Sequence, residues 1–203
     1  MKTENFMTVK EAAIARHSIR KYTDDPIPTE DIQEILRVAG LAPSPWNLQP
    51  WRIKVVVSPE MKEKLMTAAY GQPQVGAAQA VFVIGNDMND VLDNVEDTVH
   101  PGYGEKIPSV AQDVKETMQK LPESDLQWWG KAQGYTFMAF LLLQAQSMGY
   151  STSAMLGFDP VEVRKLFGWG DHVQISALVA MGVADQDGYP THRHPLERFT
   201  EIV

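Results

Sequence analysis

The sequence predicts an α+β domain built around a small mixed or antiparallel sheet. Three observations lead there. Several stretches carry apolar residues at helical spacing behind recognisable capping signals. Three short apolar runs have the length of strands. Strand and helix signals do not alternate in the strict way that a doubly wound parallel sheet requires.

Taken in order, Thr8 and Glu11 have the spacing of a capping box, which predicts a first helix from Thr8 to about Arg16. Ile32, Ile35, Leu36 and Ala39 form one stripe of a second helix from Thr29 to Leu41, stopped by Pro43 and Pro45. Arg52 to Val57 reads as a buried strand. Ser58-Pro59-Glu60 opens a third helix, with Ser58 as cap and proline at the first helical position. Ala80 to Gly85 reads as a second strand. The segment 86–124, polar from Asn86 to Glu123 and carrying Pro101, Pro108 and Pro122, has little periodicity and reads as an insertion or lid with short helices. Ser124 and Gln127 then form another capping pair, opening a long helix to about Met148. That helix is apolar nearly all round from Phe137 to Leu143, which suits the middle of a protein or a subunit interface. Asp159-Pro160 starts a short helix ending at Gly168, and His172 to Val183 is the last strong strand. In the polar tail, Phe199 to Val203 alternates well enough for one further strand.

The 203 residues, 44% hydrophobic and 22% charged, suit one globular domain over 1–203. The run Phe137 to Leu143 is too short to span a bilayer, so no membrane partner is expected. The opening MKTENFM lacks the apolar region of a signal peptide. With 0 cysteines the chain has no disulfide, thiolate nucleophile or Cys-ligated metal. Together these point to the cytoplasm. The net charge of −8, from 26 acidic against 18 basic residues, argues against nucleic acid as a partner. An anion must therefore bind locally, at one of the few basic clusters.

No P-loop, GxGxxG, HExxH or GxSxG motif is present. The first positive signal is Arg16-His17-Ser18-Ile19-Arg20. If this segment is extended, Arg16, Ser18 and Arg20 share one face while Ile19 turns to the core. Two guanidinium forks and a hydroxyl suit a phosphate monoester dianion. The same residues also suit a solvated basic turn at a helix C-terminus. The second signal is the loop Ala42 to Trp51, where Ser44, Asn47 and Gln49 offer hydroxyl and amide groups from a proline-stiffened backbone. Carboxamides both donate and accept, which fits the pyrimidine edge of a flavin; a plain turn would use proline and asparagine too. His172, His192 and His194 suit surface imidazoles better than a metal site, so no metal is expected. Trp128 and Trp129 suit core or interface packing better than a substrate cap, and most methionines suit core filling.

RHSIRKY, then a helix, then APSPWNLQPWRIKVV resembles the opening of the nitroreductase family of FMN-dependent oxidoreductases. The likeness continues through Gly71 to Val75, Ala154 to Pro160, Met181-Gly182-Val183 and His192 to Leu196, and so covers nearly the whole chain. The resemblance implies a nitroreductase-like fold, a homodimer with swapped terminal segments, FMN as cofactor and NAD(P)H as co-substrate. It implies ping-pong transfer of electrons to a small oxidised acceptor such as a nitroaromatic or quinone. It further implies that Arg16, His17, Ser18 and Arg20 bind the FMN phosphate and ribityl chain, with Arg193 closing the phosphate site. Pro45, Asn47 and Gln49 match a loop that reaches the neighbouring subunit's flavin. Gln74 falls near the isoalloxazine, and Met155, Leu156 and Gly157 match the segment over it. The chemistry is then the flavin's own, with no side chain needed as acid or base. Two departures stand out. Many relatives carry glutamate at the position of Leu156, where it contributes to nicotinamide docking, and some carry lysine where Thr191 stands. The alternatives on the same scaffold are a dedicated reductase or dehydrogenase of enone-reductase or dehalogenase type, or a non-catalytic flavin-binding protein.

Overall fold

The structure, a computed structural model, describes residues 6–203. Residues 1–5, part of the segment read above as lacking a signal peptide, lie outside the described residues.

Helix α1 (Val9–Ala15) starts at the expected capping box: the Thr8 hydroxyl accepts from the Glu11 N–H, and the Glu11 carboxylate accepts from the Thr8 N–H at 2.8 Å. Helix α2 (Thr29–Ala39) buries Ile32, Ile35 and Ala39, and stops at Gly40, before the two prolines are reached. Strand β1 (Trp51–Val56) leads to α3 (Pro59–Ala68), whose first turn is capped by Ser58 as expected. The short α4 (Pro73–Ala77) precedes β2 (Ala80–Asn86). Next come α5 (Met88–Asp93), α6 (Ile107–Gln119) and the 25-residue α7 (Glu123–Ser147). Strand β3 (Ser151–Met155), α8 (Pro160–Phe167) and β4 (Gln174–Gly182) complete the regular elements. Asp159 caps α8, and Gly168 ends it at φ 65°, where a Cβ would be strained.

The sheet is antiparallel throughout, in the order β1-β2-β4-β3. Strand β2 sits inside it and is buried along its whole length. Period-two alternation sends Phe82 and Ile84 to one face and Val81 and Val83 to the other. The first face packs under α2 and α7, against Ile35, Phe137, Leu141 and Ala145. The second packs under α3, α4 and α8, against Leu65, Val75 and Val163. Each of the larger of these side chains, from valine up to phenylalanine, contributes about 1.5–3 kcal/mol when fully buried. Helix α7 comes so close to the sheet that a Cβ on Gly134 would lie 2.3 Å from the Ser176 hydroxyl and 2.5 Å from Asn86 Oδ1. Asn86 donates to that hydroxyl at 2.9 Å, and Ser176 donates on to the Lys131 carbonyl at 2.7 Å.

Five expectations are corrected. Strand β1 is an edge strand and mostly half-buried, not a buried one. Strand β3 went unread because Ser-Thr-Ser-Ala-Met has no apolar alternation; the chain around Ser18 and Ile19 covers it. The insertion is more ordered than its composition suggests. In α6, Ala111, Val114 and Met118 recur at helical spacing and close a third core with Met88, Val91 and Leu48. Helix α7 begins one residue before Ser124, with Pro122 at the cap position, so the Ser124–Gln127 pair makes no capping box. Residues 199–203 are exposed and form no strand within this chain. Along α7, Ala139 and Phe140 are exposed, and Met138, Leu142 and Leu143 are half-buried. Among the described residues no helix is long and apolar enough to cross a membrane.

Candidate functional site

The end of α1 runs into the sheet. Ser18 bridges Thr152 of β3, and the Ile19 N–H donates to the Thr152 carbonyl at 3.0 Å. This pins an extended segment with Ile19 in the core at 4% exposure. Its alternate residues Arg16, Ser18 and Arg20 line a cleft of about 280 Å³, whose other wall is Tyr189 to Arg193. Arg193 thus comes from the C-terminal segment to face Arg16. Burial, and then the neighbouring Arg193 charge, hold the Arg16 guanidinium below its ordinary value. Among the described residues no carboxylate is paired with Arg16, Arg20 or Arg193. Donors without an acidic partner in a half-buried cleft fit a phosphate-like dianion.

His17 ties the two walls together by its side chain. Its Nδ1 lies 2.7 Å from the Ala15 carbonyl, which can only accept, so Nδ1 carries the proton. Nε2 then accepts from the Thr191 hydroxyl at 3.2 Å. Gly188 passes so close that a Cβ there would lie 2.3 Å from His17 Cβ.

Arg20 and Tyr189 also line a second, larger cleft of about 730 Å³, with Gln74, Lys21 and Asp185 on its walls. Arg20 and Tyr189 thus stand on the walls of both clefts. Gln74 is buried and lies 3.0 Å from the Met155 sulfur, so the structure brings Gln74 and Met155 together. Gln72, which the sequence did not single out, donates to the Gly157 carbonyl at 2.5 Å and accepts from Gln74 at 2.8 Å. Leu156 beside them is 65% exposed. Gln72 is placed by a local turn in which Tyr70 and Gly71 are both left-handed, at φ 55° and 72°. A glycine after a helix was the one available signal for that turn.

Pro45, Asn47 and Gln49 are not brought to these clefts. They lie on a loop where Trp46, Asn47 and Gln49 all have positive φ, of 51°, 58° and 45°. Three non-glycine residues in that region store about 1–3 kcal/mol each. What holds the loop is visible: Leu48 is buried in the third core, Ser44 accepts from the Gln49 N–H, and Asn47 donates to the Thr98 carbonyl at 3.0 Å. Arg52 donates to the Gln49 carbonyl at 3.2 Å and to Asp90 of α5 through both Nε and Nη2. The loop and the insertion are thereby tied to each other.

A separate hollow of about 450 Å³ between α3 and α8 is lined by Tyr70 but by none of the residues that line the two clefts. Its lysines are already paired, Lys64 with Glu60 and Lys165 with Glu162. His172 lies 3.3 Å from Asp87, and among the described residues no three His, Asp or Glu side chains converge on a metal position. Trp128 is exposed beneath Lys131, whereas Trp129 packs on the third core.

Comparison with known proteins adds a second line of argument. Residues 13–183 match the model of the Nitroreductase family. A Thermus thermophilus protein named NADH dehydrogenase is 42% identical, over 95% of this chain and 94% of its own. The Bacillus subtilis protein named NAD(P)H nitroreductase YdgI is 33% identical, over 99% of each chain. A solved structure from Exiguobacterium sibiricum, named as a nitroreductase in complex with FMN, superimposes with a TM-score of 0.88 at 29% identity, over 100% of both chains.

Proposed function

Because the chain belongs to the nitroreductase family, we propose that it is an FMN-dependent oxidoreductase that moves electrons from NAD(P)H to a small oxidised acceptor such as a nitroaromatic or quinone. One observation carries this reading: Arg16, Ser18, Arg20 and Arg193 meet in one cleft, and Arg20 also lines a neighbouring, larger cleft walled by Gln74. A terminal phosphate suits the first cleft and a flat ring system the second.

When bound, FMN would supply two-electron transfer, taken from the nicotinamide and passed to the acceptor in turn. The chain's own residues do the rest. Arg16, Arg20 and Arg193 would hold the phosphate by charge-assisted bonds, and Ser18 would add a hydroxyl. His17 and Thr191 keep the C-terminal wall against the N-terminal one, so Arg193 stays in place. Gln74, which walls the larger cleft, would face the ring, with the Met155–Gly157 segment beside it. No side chain is assigned as proton donor.

The protein acts in this reading as a homodimer in the cytoplasm. The distance in the fold between the Pro45–Gln49 loop and the Arg16 cleft, together with the exposed apolar face of α7, supports a site completed by a second copy. Residues 1–203 then form one domain, with 86–124 as a lid over the acceptor.

The test is direct. The purified protein should be yellow, release FMN rather than FAD on denaturation, and oxidise NADPH when given a nitroaromatic or quinone. A colourless protein that takes up no added FMN would sink the reading. FMN binding without NAD(P)H oxidation would favour a non-catalytic flavoprotein.

A further inference from the structure

After α3, the left-handed pair Tyr70-Gly71 reverses the chain, with the Gly71 N–H bound to the Met66 carbonyl at 2.9 Å and the Gln72 N–H to the Ala69 carbonyl at 3.2 Å. Tyr70 adopts that conformation at a steric cost that glycine would not meet. The turn aims the Gln72 side chain across to the segment that follows β3. Its amide orientation is settled by chemistry. A backbone carbonyl only accepts, so Gln72 Nε2 must face Gly157 O at 2.5 Å, and Gln72 Oε1 must face Gln74 Nε2 at 2.8 Å. The Gln74 amide nitrogen is also directed at the Met155 sulfur, 3.0 Å away. With both of its hydrogens engaged, Gln74 has only its oxygen left to offer the cleft it lines.

The same bond explains a glycine. A Cβ on residue 157 would sit 2.9 Å from Gln72 Nε2, so alanine there would displace the amide. Gln72 and Gly157 thus depend on each other.

We propose that Gln72 is a positioning residue for electron transfer, which fixes Gln74 as a hydrogen-bond acceptor toward an N–H of the cofactor ring and pins the Gly157 backbone against that ring. The inference rests on the reading of Gln74 and Gly157 as cofactor-facing residues. It assigns Gln72 a role through those neighbours, without contact of its own with FMN. Two aligned amides polarise one another, so loss of the middle one weakens both ends.

The experiment uses the full-length protein with three variants: Gln72→Met, Gln72→Glu and Gly157→Ala. Both Gln72 variants should keep FMN, because the phosphate cleft is untouched. Rapid-mixing reduction by NADPH should slow about tenfold in Gln72→Met, the loss expected when a reacting group is misplaced by a fraction of an ångström. In Gln72→Glu the carboxylate repels the Gly157 carbonyl, but its protonated form regains an O–H donor. Its reduction rate should therefore recover as pH falls through that carboxyl's pKa, a limb the parent protein lacks. In the FMN-free protein, Gln72→Met and Gly157→Ala should be non-additive in thermal unfolding, since each removes the same bond. Parent-like reduction rates and flavin spectra in both Gln72 variants would overturn the proposal, as would additive effects with Gly157→Ala. If the unmodified protein binds no FMN, the proposed function fails instead, and the unfolding cycle still reports on the Gln72–Gly157 bond.

Discussion

Arg16 and Arg193, from opposite ends of the chain, face each other across one cleft, and among the described residues no acidic side chain is paired to either. Burial, and then repulsion from Arg193, disfavour the charged form of Arg16, so its guanidinium is held below its usual value. A base whose folded pKa is depressed makes an unfavourable contribution at every pH below that depressed value, and so throughout the neutral range. The pair is tolerable when an anion lies between them.

Replacing Arg193 with alanine should therefore have two effects of opposite sign. The FMN-free protein should unfold at the same or a slightly higher temperature, because a repulsion is removed. FMN should bind about ten- to a hundredfold more weakly, from the loss of a charge-assisted contact of roughly 1.5–3 kcal/mol. Flavin-fluorescence titration and thermal unfolding read the two separately. An unchanged FMN affinity would remove Arg193 from the phosphate site.

Leu156 stands 65% exposed beside Gly157, at a position where the family resemblance implies a carboxylate in many members. Without that charge an additional 2′-phosphate meets less repulsion, so NADPH should be used at least as well as NADH. Leu156→Glu should shift the ratio of kcat/KM values toward NADH by several-fold. A tenfold preference of the unmodified protein for NADH would contradict this account.

Exposed Ala139 and Phe140 lie on the outward side of α7, with Leu143 half-buried nearby. An interface there that also engages residues 199–203 and the Pro45–Gln49 loop would belong to the obligate class of more than about 2,000 Å². Phe140→Lys should weaken the dimer in light scattering and lower FMN content with it, and deletion of 199–203 should do the same to a smaller degree. A stable monomer with full FMN would show that the site is built within one chain, and the assignment of Asn47 and Gln49 would fall.

Hydrogen bonds from the Thr8 backbone, then from its hydroxyl, hold the Glu11 carboxyl below its ordinary range. For an acid whose folded pKa is depressed, the stability is present above the unfolded pKa and is lost as pH falls through the folded one. Glu11→Gln should accordingly lower the melting temperature at neutral pH, and the difference should close as pH falls below the ordinary carboxyl range. A difference that is constant with pH would mean that charge plays no part in the cap.

Gly134→Ala is a substitution that usually stabilises a helix. Here the added methyl meets Ser176 and Asn86, so we expect a loss of about 1–3 kcal/mol in chemical denaturation. An unchanged or raised stability would show that α7 can move off the sheet without penalty.

What could be read from the sequence was mostly local. The Thr8–Glu11 box, the Ser58 cap and the Asp159–Gly168 pair each depend on residues within one or two turns. So does the alternation that sets Arg16, Ser18 and Arg20 on one face. Strand β3 was hidden because its small polar residues are covered by a distant segment, and α6 because its stripe finds its partners elsewhere in the chain, in Leu48, α5, Val95 and Leu126 of α7. Arg193 was found by family likeness alone, since nothing near it in sequence names its partner. Gln72 was missed because its meaning depends on a left-handed turn at Tyr70 and on a carbonyl 85 positions away.

Arg52 has a consequence for engineering. One guanidinium grips both the Gln49 carbonyl and Asp90, and Asn94 braces Asp90 at 3.0 Å. A segment transplanted over 86–124 from another protein would sever that grip unless it restored a carboxylate at the same place. Chimeras that swap this region to change acceptor choice should therefore lose cofactor as well, until Asp90 is put back.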